Sequence, residues 1–286
     1  MREDFCVFIL THGRPDRVHT YDTLMKAGYT GKVYIVIDDE DKQAEGYRQR
    51  FGDKVLQFCK AEWAAKTDEG DNFQHRKAIV YARNACWDLA KQVGCRHFCQ
   101  MDDDYTSFEL RHGSDYRPIS PAIRSRINAV IINLLEFYER SNAIAIAMSQ
   151  GGDHIGGAEG CPLPRLTRKC MNSWFCDTER PFQFFGHMNE DVSAYVVHGG
   201  RGCLFLTVMQ AKLVQKPTQV TTGGMSDLYL SSGTYQKSFY TVMAAPSCTQ
   251  IGVMGDPRSG NYRIHHKINW HKAVPKIIDE KHRKVI

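Results

Sequence analysis

The first half of the chain alternates short apolar runs with segments of helical character, and this alternation limits the possible folds more than any other feature. Each run has six or seven residues. Continuously apolar runs of this length are typical of strands that are buried on both faces. Such strands, alternating with helices, predict an α/β fold of Rossmann type with a mostly parallel sheet flanked by helices. The predicted strands are Phe5–Thr11, Lys32–Asp38, Lys54–Cys59, His97–Asp102 and Ala143–Ser149.

The segments between these runs favour helix by pattern or by composition. After Ser149 the alternation weakens, with a glycine-rich loop at Gly151–Gly160 and further strand patterns at Lys169–Asp177 and Gly202–Val208. No clear linker interrupts the chain, so we predict a single domain with an irregular C-terminal part. The predicted helices are Thr20–Ala27, Asp41–Phe51, Phe73–Val93, Pro121–Arg140 and Asn189–His198.

Positive charge is concentrated near the C-terminal end. The 286 residues include 37 Lys and Arg and 32 Asp and Glu, for a net charge of +5. Residues 258–286 alone contain eight Lys and Arg and two acids, so the rest of the chain is slightly acidic. A basic segment either binds the phosphates of a nucleic acid or nucleotide, or only keeps the protein in solution. We therefore separate a main domain, 1–257, from a basic, histidine-rich tail, 258–286, that is expected to pack on or near the active site.

Several classes of protein are excluded by composition. No apolar run approaches the ~20 residues of a membrane span, and the N-terminus has no signal-peptide pattern. We therefore expect a cytoplasmic protein that does not bind membranes. The ten cysteines are scattered without a C-x-x-C pair. In a reducing compartment they are expected to be buried free thiols.

Three adjacent acids stand at the end of the fourth predicted strand. Asp102, Asp103 and Asp104 lie where parallel sheets bind ligands, beyond the carboxyl ends of the strands. Their mutual repulsion raises their pKa values unless a cation lies among them. Asp102 and Asp104 can converge on one ion, and carboxylate oxygens favour Mg²⁺ or Mn²⁺. The alternative is an exposed acidic turn.

The first two strands end in residues that suit a nucleotide. In the segment from Thr11 to Arg14, a glycine permits close approach of a ligand, and Arg14 can pair with a phosphate or stack on a base. The segment has neither the G-x-G-x-x-G nor the P-loop spacing, which argues against a dinucleotide-dependent hydride enzyme and an ATPase. Asp38 and Asp39 can accept hydrogen bonds from a base or a ribose.

Arg83 and an acid pair are further candidates for chemistry. Arg83 and Arg76 are seven residues apart on the predicted long helix, where they share a face that is either solvated or turned to a diphosphate. Glu190 and Asp191 open a helix after an aromatic segment. Acids favour a helix N-terminus for electrostatic reasons, and a carboxylate delivered there can also act as a general base.

Two adjacent histidines lie in the basic segment. His265 or His266 could reach back to the sheet and complete the metal shell as a nitrogen ligand. Taken alone, either is more often a surface residue. Cys161, Cys170 and Cys176 form the one local cysteine cluster, but their spacing does not fit a zinc site well.

Together these features resemble the GT-A glycosyltransferases, which combine an Asp-x-Asp strand end, early acidic nucleotide contacts, a later acid pair and a C-terminal histidine. From about Phe5 to Cys248 the chain is similar to the TET-associated glycosyltransferases of bacteriophages. The segments that carry this resemblance are LTHGRPDRVHTYDTLMKAGYTGKVYIVIDDED, YARN, QMDDDY, NEDVSAY and SSGTYQKSFY.

The resemblance implies a hexosyltransferase of GT-A-like fold, encoded by a phage and active in the host cytoplasm. It would move a sugar from a nucleotide-sugar donor, first of all a UDP-sugar, to the hydroxymethyl group of 5-hydroxymethylcytosine in phage DNA. A bound Mn²⁺ or Mg²⁺ would bridge the two phosphates of the donor. The expected metal ligands are Asp102, Asp104, His265 and His266. The expected donor-binding residues are Thr11, His12, Arg14, Asp38, Asp39, Arg83, Asp102 and Asp103.

The acid pair carries the expected catalytic role. Asp191 is favoured over Glu190 as the base, because in many GT-A enzymes the second acid of a similar pair takes that role. It would deprotonate the acceptor hydroxyl in an inverting transfer. In a retaining transfer the same carboxylate would position the sugar or stabilise the oxocarbenium-like state. Asp153 and His154, in the glycine-rich loop, are the next candidates.

Two other functions are compatible with the sequence. A GT-A enzyme that acts on a glycan or a small molecule would need no affinity for DNA. A non-catalytic nucleic-acid-binding protein would use the basic tail and would not need the Asp cluster. In a DNA-modifying enzyme, aromatic side chains either stack on an extruded base or pack in the core. The aromatic candidates are Trp174, Phe175, Phe184 and Phe185.

Overall fold

The computed structural model describes residues 1–72, 76–112, 117–120, 123, 125–154, 169–216, 236–256 and 261–273. Its strands are β1 (Phe5–Leu10), β2 (Lys32–Asp38), β3 (Val55–Phe58), β4 (His97–Asp102), β5 (Tyr105–His112), β6 (Arg117–Ser120), β7 (Ala143–Ser149), β8 (Ser173–Asp177), β9 (Leu204–Gln215), β10 (Thr249–Asp256) and β11 (Asn261–Ile268). Its helices are α1 (His19–Lys26), α2 (Ala44–Phe51), α3 (Lys60–Lys66), α4 (Val80–Gln92), α5 (Ile127–Arg140) and α6 (Glu190–Gly200). A helix over residues 236–244 and the short helix Trp270–Ala273 complete the described part.

Nine strands form one sheet in the order β3-β2-β1-β4-β8-β7-β9-β5-β6. The pairings give seven strands one direction, with β8 and β5 reversed. Strand β1 lies between the parallel neighbours β2 and β4, and all six of its residues are buried. A strand enclosed in this way must be apolar on both faces, which explains the run FCVFIL.

Helices cover both faces of the sheet. Successive strand residues point to opposite faces, so neighbours in β1 belong to different cores. Ile9 packs in one core with Leu24 of α1 and Ile131 of α5. Phe8 packs in the other core with Val80 of α4, to which α6 also contributes. The predicted architecture is confirmed: an α/β fold with a mostly parallel sheet, flanking helices and a less regular C-terminal part.

The C-terminal part contains a hairpin that the sequence patterns did not predict. Strands β10 and β11 pair in antiparallel register, from Thr249 opposite Ile268 to Asp256 opposite Asn261. The boundary proposed at residue 258 falls between these two strands, so residues 261–268 are part of a hairpin and not a separate tail. Residues 257–260 and 274–286, with five of the eight Lys and Arg of the basic segment, lie outside the described part.

Two helices begin more than one turn later than predicted. Helix α4 starts at Val80, its first buried residue, and not at Phe73. Arg76 is exposed, lies before the helix and forms an ion pair with Glu40. The expected helix face shared by Arg76 and Arg83 is therefore wrong. Helix α5 starts at Ile127, and the predicted start at Pro121 lies outside the described residues.

The cysteines agree with the expectation of free thiols. Nine cysteines lie in the described part, and all nine are free, seven of them buried. Cys161, one member of the local cluster, lies outside it. Among the described residues, no helix is both long enough and apolar enough to cross a membrane.

Candidate active site

The sheet brings the ends of three strands to one edge. Leu10, at the end of β1, is in register with Val36 of β2 and with Asp102 of β4. The segment that follows β1 therefore passes between the acids at the end of β2 and those at the end of β4. This is the edge where open α/β sheets bind ligands, as expected from the sequence.

Asp103 organises the loop after β1. Its carboxylate is buried, and Oδ2 accepts hydrogen bonds from Thr11 Oγ1 at 2.6 Å and from Arg14 Nε at 2.7 Å. The hydroxyl of Tyr47 lies 2.9 Å from Thr11 Oγ1 and accepts a hydrogen bond from the Arg14 backbone N–H at 2.9 Å. Asp103 therefore holds two expected donor-binding residues in place, and among the described residues no acceptor takes a hydrogen bond from the outer nitrogens of Arg14.

A second group forms around the end of β2. His12 Nδ1 lies 2.7 Å from Asp38 Oδ2, and the buried Lys60 Nζ lies 3.3 Å from Asp38 Oδ1. Burial opposes ionisation of Asp38, but the hydrogen bond from His12 and the charge of Lys60 outweigh it, so the pKa of Asp38 is lowered. Asp38 is thus a fixed anion, with its orientation set from both sides.

Asp39, also expected to bind the donor, has a backbone partner. Its Oδ1 accepts a hydrogen bond from the backbone N–H of Lys60 at 2.8 Å, at the start of α3. Asp41 does the same for the backbone N–H of Gly13 at 2.7 Å. Gly13 has φ of +70°, a conformation that glycine adopts readily. These two acids therefore fix the loops that follow β1 and β2.

Arg83 joins the end of β4 to the start of α6. It is 2 % exposed. Its Nε donates to Glu190 Oε1 at 2.9 Å, and Nη2 donates to Asp102 Oδ1 at 3.1 Å. Burial opposes the charge on Arg83, but Asp102 and Glu190 outweigh that effect and raise its pKa. Nη1 is buried and has no hydrogen-bond partner among the described residues, so one donor of the guanidinium remains for a ligand.

The acids around Arg83 carry more negative charge than one guanidinium balances. Burial raises the pKa of Asp104 to about 7, and the charges of Asp102 and Asp103 add to the shift. Burial also raises the pKa of Asp102 and of Glu190, against the opposing effect of Arg83. Clustered carboxylates with raised pKa values are the usual sign of a place for a cation.

The chemistry of the donor set fits a hard divalent ion at Asp102 and Asp104. Both offer carboxylate oxygens, the ligands that Mg²⁺ and Mn²⁺ prefer. The histidines are placed differently from the expectation. Among the described residues, no three His, Cys, Asp or Glu side chains are arranged to hold a metal ion, so the four predicted ligands do not form a ready set. His266 is buried, its ring lies 4.1 Å from that of His265, and its Nδ1 lies 3.1 Å from Asn189 Nδ2.

The acid pair at the start of α6 is divided between two environments. Glu190 is 8 % exposed and is engaged by Arg83. Asp191 is only partly buried, and its Oδ1 accepts a hydrogen bond from the backbone N–H of Val192 at 2.7 Å. The alternative bases are occupied: Asp153 pairs with Lys169, and His154 Nε2 lies 3.0 Å from Ser149 Oγ.

Three of the four aromatic candidates belong to the core. Trp174, Phe175 and Phe184 are all 0 % exposed. The Trp174 ring contacts that of Phe184 edge-on, with centroids 4.7 Å apart. Phe185 is partly buried. Base stacking by the first three is therefore wrong for this conformation, because no base could reach them without opening the core.

Trp174→Ala is expected to lower the free energy of unfolding by about 3–5 kcal/mol, the usual cost of removing a buried aromatic side chain. Phe185→Ala should cost clearly less, because part of its ring is already in solvent. Urea unfolding of both variants measures the difference. A Trp174→Ala protein with unchanged stability and abolished DNA binding would contradict the assignment to the core.

Sequence reasoning missed residues that the fold adds to the site. Tyr47 and Lys60 lie 36 and 22 residues after Thr11 and Asp38, on helices whose patterns indicate only burial. Tyr47 does show a signal, since it shares the buried face of α2 with Phe51, four residues later. A buried lysine has no such signal in sequence. It becomes visible only when its carboxylate partner is known.

Comparison with known proteins gives one family. The model of the TET-associated glycosyltransferase family matches residues 5–224, about three quarters of the chain. A comparison with curated protein sequences finds no match.

Two crystal structures of S. aureus TarS are similar to the chain, both at 13% sequence identity. One has a TM-score of 0.41 and covers 79% of this chain and 38% of the TarS chain. The other, of TarS 1–349, has a TM-score of 0.42 and covers 84% of this chain and 65% of that chain. The chain thus spans less than two thirds of either.

Proposed function

The chain belongs to the TET-associated glycosyltransferase family, and we propose that it transfers a hexose from a nucleotide-sugar donor to the hydroxymethyl group of 5-hydroxymethylcytosine in DNA. The observation that carries the site assignment is the bridge from Asp102 through the buried Arg83 to Glu190. It joins two elements of the site. One is the acid cluster that could hold a cation, whose charge would neutralise a leaving diphosphate, and the other is the helix that could supply a base. A glycosyl transfer needs both functions at one place.

The donor would lie along the edge formed by β2, β1 and β4. Arg14, held by Asp103, faces its phosphates, and the Asp38 carboxylate, oriented by His12 and Lys60, accepts a hydrogen bond from the nucleoside. A side chain whose orientation is already fixed loses little freedom when the ligand binds. This arrangement supports a nucleotide donor, with a UDP-sugar as the first to test.

Asp102 and Asp104 would hold Mn²⁺ or Mg²⁺. When bound, the ion supplies positive charge for the diphosphate as it leaves. Arg83 stays between Asp102 and Glu190, and its free Nη1 can donate to the diphosphate or the sugar. In this proposal the histidines at 265 and 266 are not ligands, because His266 already contacts Asn189.

Asp191 is the proposed general base. Glu190 Oε1 accepts a hydrogen bond from Arg83 Nε, and Glu190 is buried, whereas Asp191 is partly exposed on the first turn of α6. A base that removes the proton of the acceptor hydroxyl supports attack from the face opposite the leaving group. The product should therefore have the opposite anomeric configuration to the donor, which NMR of the modified nucleoside can determine.

The function is tested by nucleoside mass spectrometry after incubation of the protein with DNA, Mn²⁺ and a panel of nucleotide sugars. DNA that contains 5-hydroxymethylcytosine should gain a hexose with at least one donor. Matched DNA with cytosine or 5-methylcytosine should stay unmodified, because neither base offers a hydroxyl group. Hexose transfer to a glycan or small molecule but never to the modified DNA would overturn the DNA acceptor.

Exposed lysines of the hairpin region should bind the DNA backbone. Lys267 and Lys272 are exposed and line one pocket together with Gln250 and Asn269. We expect the double variant Lys267→Gln/Lys272→Gln to bind DNA more weakly, with a salt slope smaller by about 0.9 for each lysine–phosphate interaction that the substitution removes on duplex DNA. Fluorescence anisotropy at several salt concentrations measures the slope.

The matched control removes two charges from the opposite edge of the sheet. Lys26 and Lys91 are exposed at the C-terminal ends of α1 and α4. Helices between parallel strands run back across the sheet, so these ends lie away from the site. Lys26→Gln/Lys91→Gln should leave the slope unchanged. Equal slopes for the two double variants would show that the hairpin contributes only net charge.

A further inference from the structure

The segment His187–Asn189 leads into α6 through an unusual backbone turn. Asn189 has φ of 60° and ψ of 28°, the left-handed conformation, immediately before Glu190. A residue other than glycine adopts this conformation at a cost, although asparagine tolerates it better than most. The conformation of Asn189 therefore sets the direction in which α6 leaves the loop, and with it the positions of Glu190 and Asp191 at the start of the helix.

Buried partners hold the Asn189 side chain. Its Nδ2 lies 2.6 Å from Thr241 Oγ1 and 3.1 Å from His266 Nδ1. Asn189 is 3 % exposed, and Thr241 is 0 % exposed. Thr241 belongs to the helix over residues 236–244, and His266 to β11. Two elements from the C-terminal part thus meet at the residue before the acid pair.

The other end of the segment is held just as firmly. The His187 side chain is fully buried, with Nδ1 2.6 Å from Asp71 Oδ2 and Nε2 2.8 Å from the Tyr81 hydroxyl. Tyr81 lies on α4, two residues before Arg83. The start of α6 is therefore tied to α4 twice, through His187 and through the Arg83–Glu190 pair. Such redundancy is what a fixed geometry between acid pair and guanidinium requires.

We infer that Asn189 is a positioning residue for the transfer reaction: its left-handed turn, kept in place by Thr241 and His266, aims Asp191 at the acceptor. The inference rests on the proposed role of Asp191 as the base. His266 acts through Asn189, as an acceptor for its amide, and this replaces the expected role of His266 as a metal ligand. A displacement of the base by about 1 Å can cost about 100-fold in rate.

Three substitutions at one position separate the turn from its side-chain hydrogen bonds. Asn189→Gly keeps the left-handed turn and removes both hydrogen bonds, whereas Asn189→Ala also disfavours the turn. Asn189→Asp keeps the side-chain size and much of the tolerance for the turn but, like Asn189→Gly, has no amide N–H to donate. We expect kcat to fall by about 100-fold for Asn189→Ala and by less for Asn189→Gly and Asn189→Asp, with the donor KM unchanged in all three. The control is Tyr138→Phe, which removes a buried hydrogen bond to the Ile144 carbonyl, far from the site.

His266 is tested in the same assay. The side chain in His266→Gln can still accept a hydrogen bond from the Asn189 amide, so this variant should retain most of the turnover. The side chain in His266→Leu cannot, so the fall in kcat should resemble that of Asn189→Gly. The Mn²⁺ concentration for half-maximal rate should be the same in both variants and in the wild type. A requirement for more Mn²⁺ in either variant would overturn the assignment and restore His266 as a ligand.

A readout without acceptor keeps this inference separate from the proposed function. The Ser193 backbone N–H donates to the Asn189 carbonyl at 2.9 Å, so its hydrogen exchange reports the start of α6. Exchange at Ser193 should speed up in Asn189→Ala and not in Tyr138→Phe. A wild-type protein that modifies no DNA would defeat the proposed function, yet faster exchange would still support the turn. Unchanged exchange at Ser193, or a fall in kcat that merely follows the fall in stability as in Tyr138→Phe, would overturn the inference.

Discussion

Asp104→Asn is expected to abolish measurable transfer while the protein keeps its fold. Among the described residues, no other side chain donates a hydrogen bond to Asp104, so the amide removes a charge and leaves the surrounding hydrogen bonds intact. A metal ion contributes several kcal/mol to the stabilisation of a leaving group. The loss of one ligand should therefore lower turnover by orders of magnitude, measured with saturating donor. Thermal unfolding of the variant should be unchanged or improved, because a partly buried charge beside two other carboxylates is gone.

Asp102→Asn should be as inactive, but with a cost in stability. Asp102 is one of two carboxylates on the buried Arg83. Removing one partner of a buried ion pair typically costs about 3–5 kcal/mol when no other partner remains, and Glu190 should keep the cost below that range. The comparison of Asp104→Asn with Asp102→Asn thus separates the loss of the metal from the loss of the ion pair between Asp102 and Arg83.

Chelation provides the independent check on the metal. EDTA should stop transfer by the wild-type protein, and Mn²⁺ or Mg²⁺ should restore it. Full activity in EDTA, or normal turnover by Asp104→Asn, would contradict the proposal that a metal ion binds at Asp102 and Asp104. Arg14 and Arg83 would then be the cations that neutralise the diphosphate, a role that buried or held guanidinium groups can fill.

The fold could be predicted where burial alone decides the sequence. Strands β1, β2, β4 and β7 lie inside the sheet between other strands, so most of their residues are buried and apolar residues dominate their sequences. Strands β5, β6, β10 and β11 mix polar and apolar residues without a regular pattern, and nothing in their own sequences identifies their pairing partners. Strands like these form because a neighbour offers hydrogen bonds, and no local pattern records that neighbour.

The site was predictable to the extent that it lies at strand ends. Thr11, Asp38 and Asp102 each end or follow an apolar run, and the rule that parallel strands bind ligands at their carboxyl edge brings them together. The bridge from Arg83 to Glu190 spans 107 residues of sequence. Each of these two side chains, taken alone, looks like an exposed helix residue. Only the packing of α4 and α6 on the same face of the sheet makes them a buried pair.

The same limit applies to the two histidines. A histidine in a basic segment suggests either a metal ligand or a surface residue, whereas His266 is buried in this structure. Its strand folds back against the helix over residues 236–244, where it meets Asn189. That hydrogen bond depends on the left-handed turn at Asn189. Asparagine tolerates this conformation, but its presence in a sequence does not predict it.

The acid pair gives the second large effect, and its members should differ. Asp191→Asn is expected to lower transfer by about 10²- to 10⁴-fold, the usual contribution of a general base, with donor binding unchanged. Glu190→Gln is the matched control, one residue away and equally conservative. Its main effect should be on stability, because the amide leaves Arg83 buried with a weaker partner. Calorimetric donor binding, DNA transfer and thermal unfolding, measured for both variants, distinguish the roles.

The outcome of this pair also decides between the two modes of transfer. If Asp191 is the base, Asp191→Asn should fail to modify DNA, and the product of the wild type should be inverted. If Glu190→Gln instead shows the larger loss of turnover at unchanged stability, the buried carboxylate beside Arg83 is the group that acts on the sugar, as in a retaining transfer. Near-normal transfer by both variants would show that neither acid takes part in the reaction. The start of α6 would then serve only to hold Arg83.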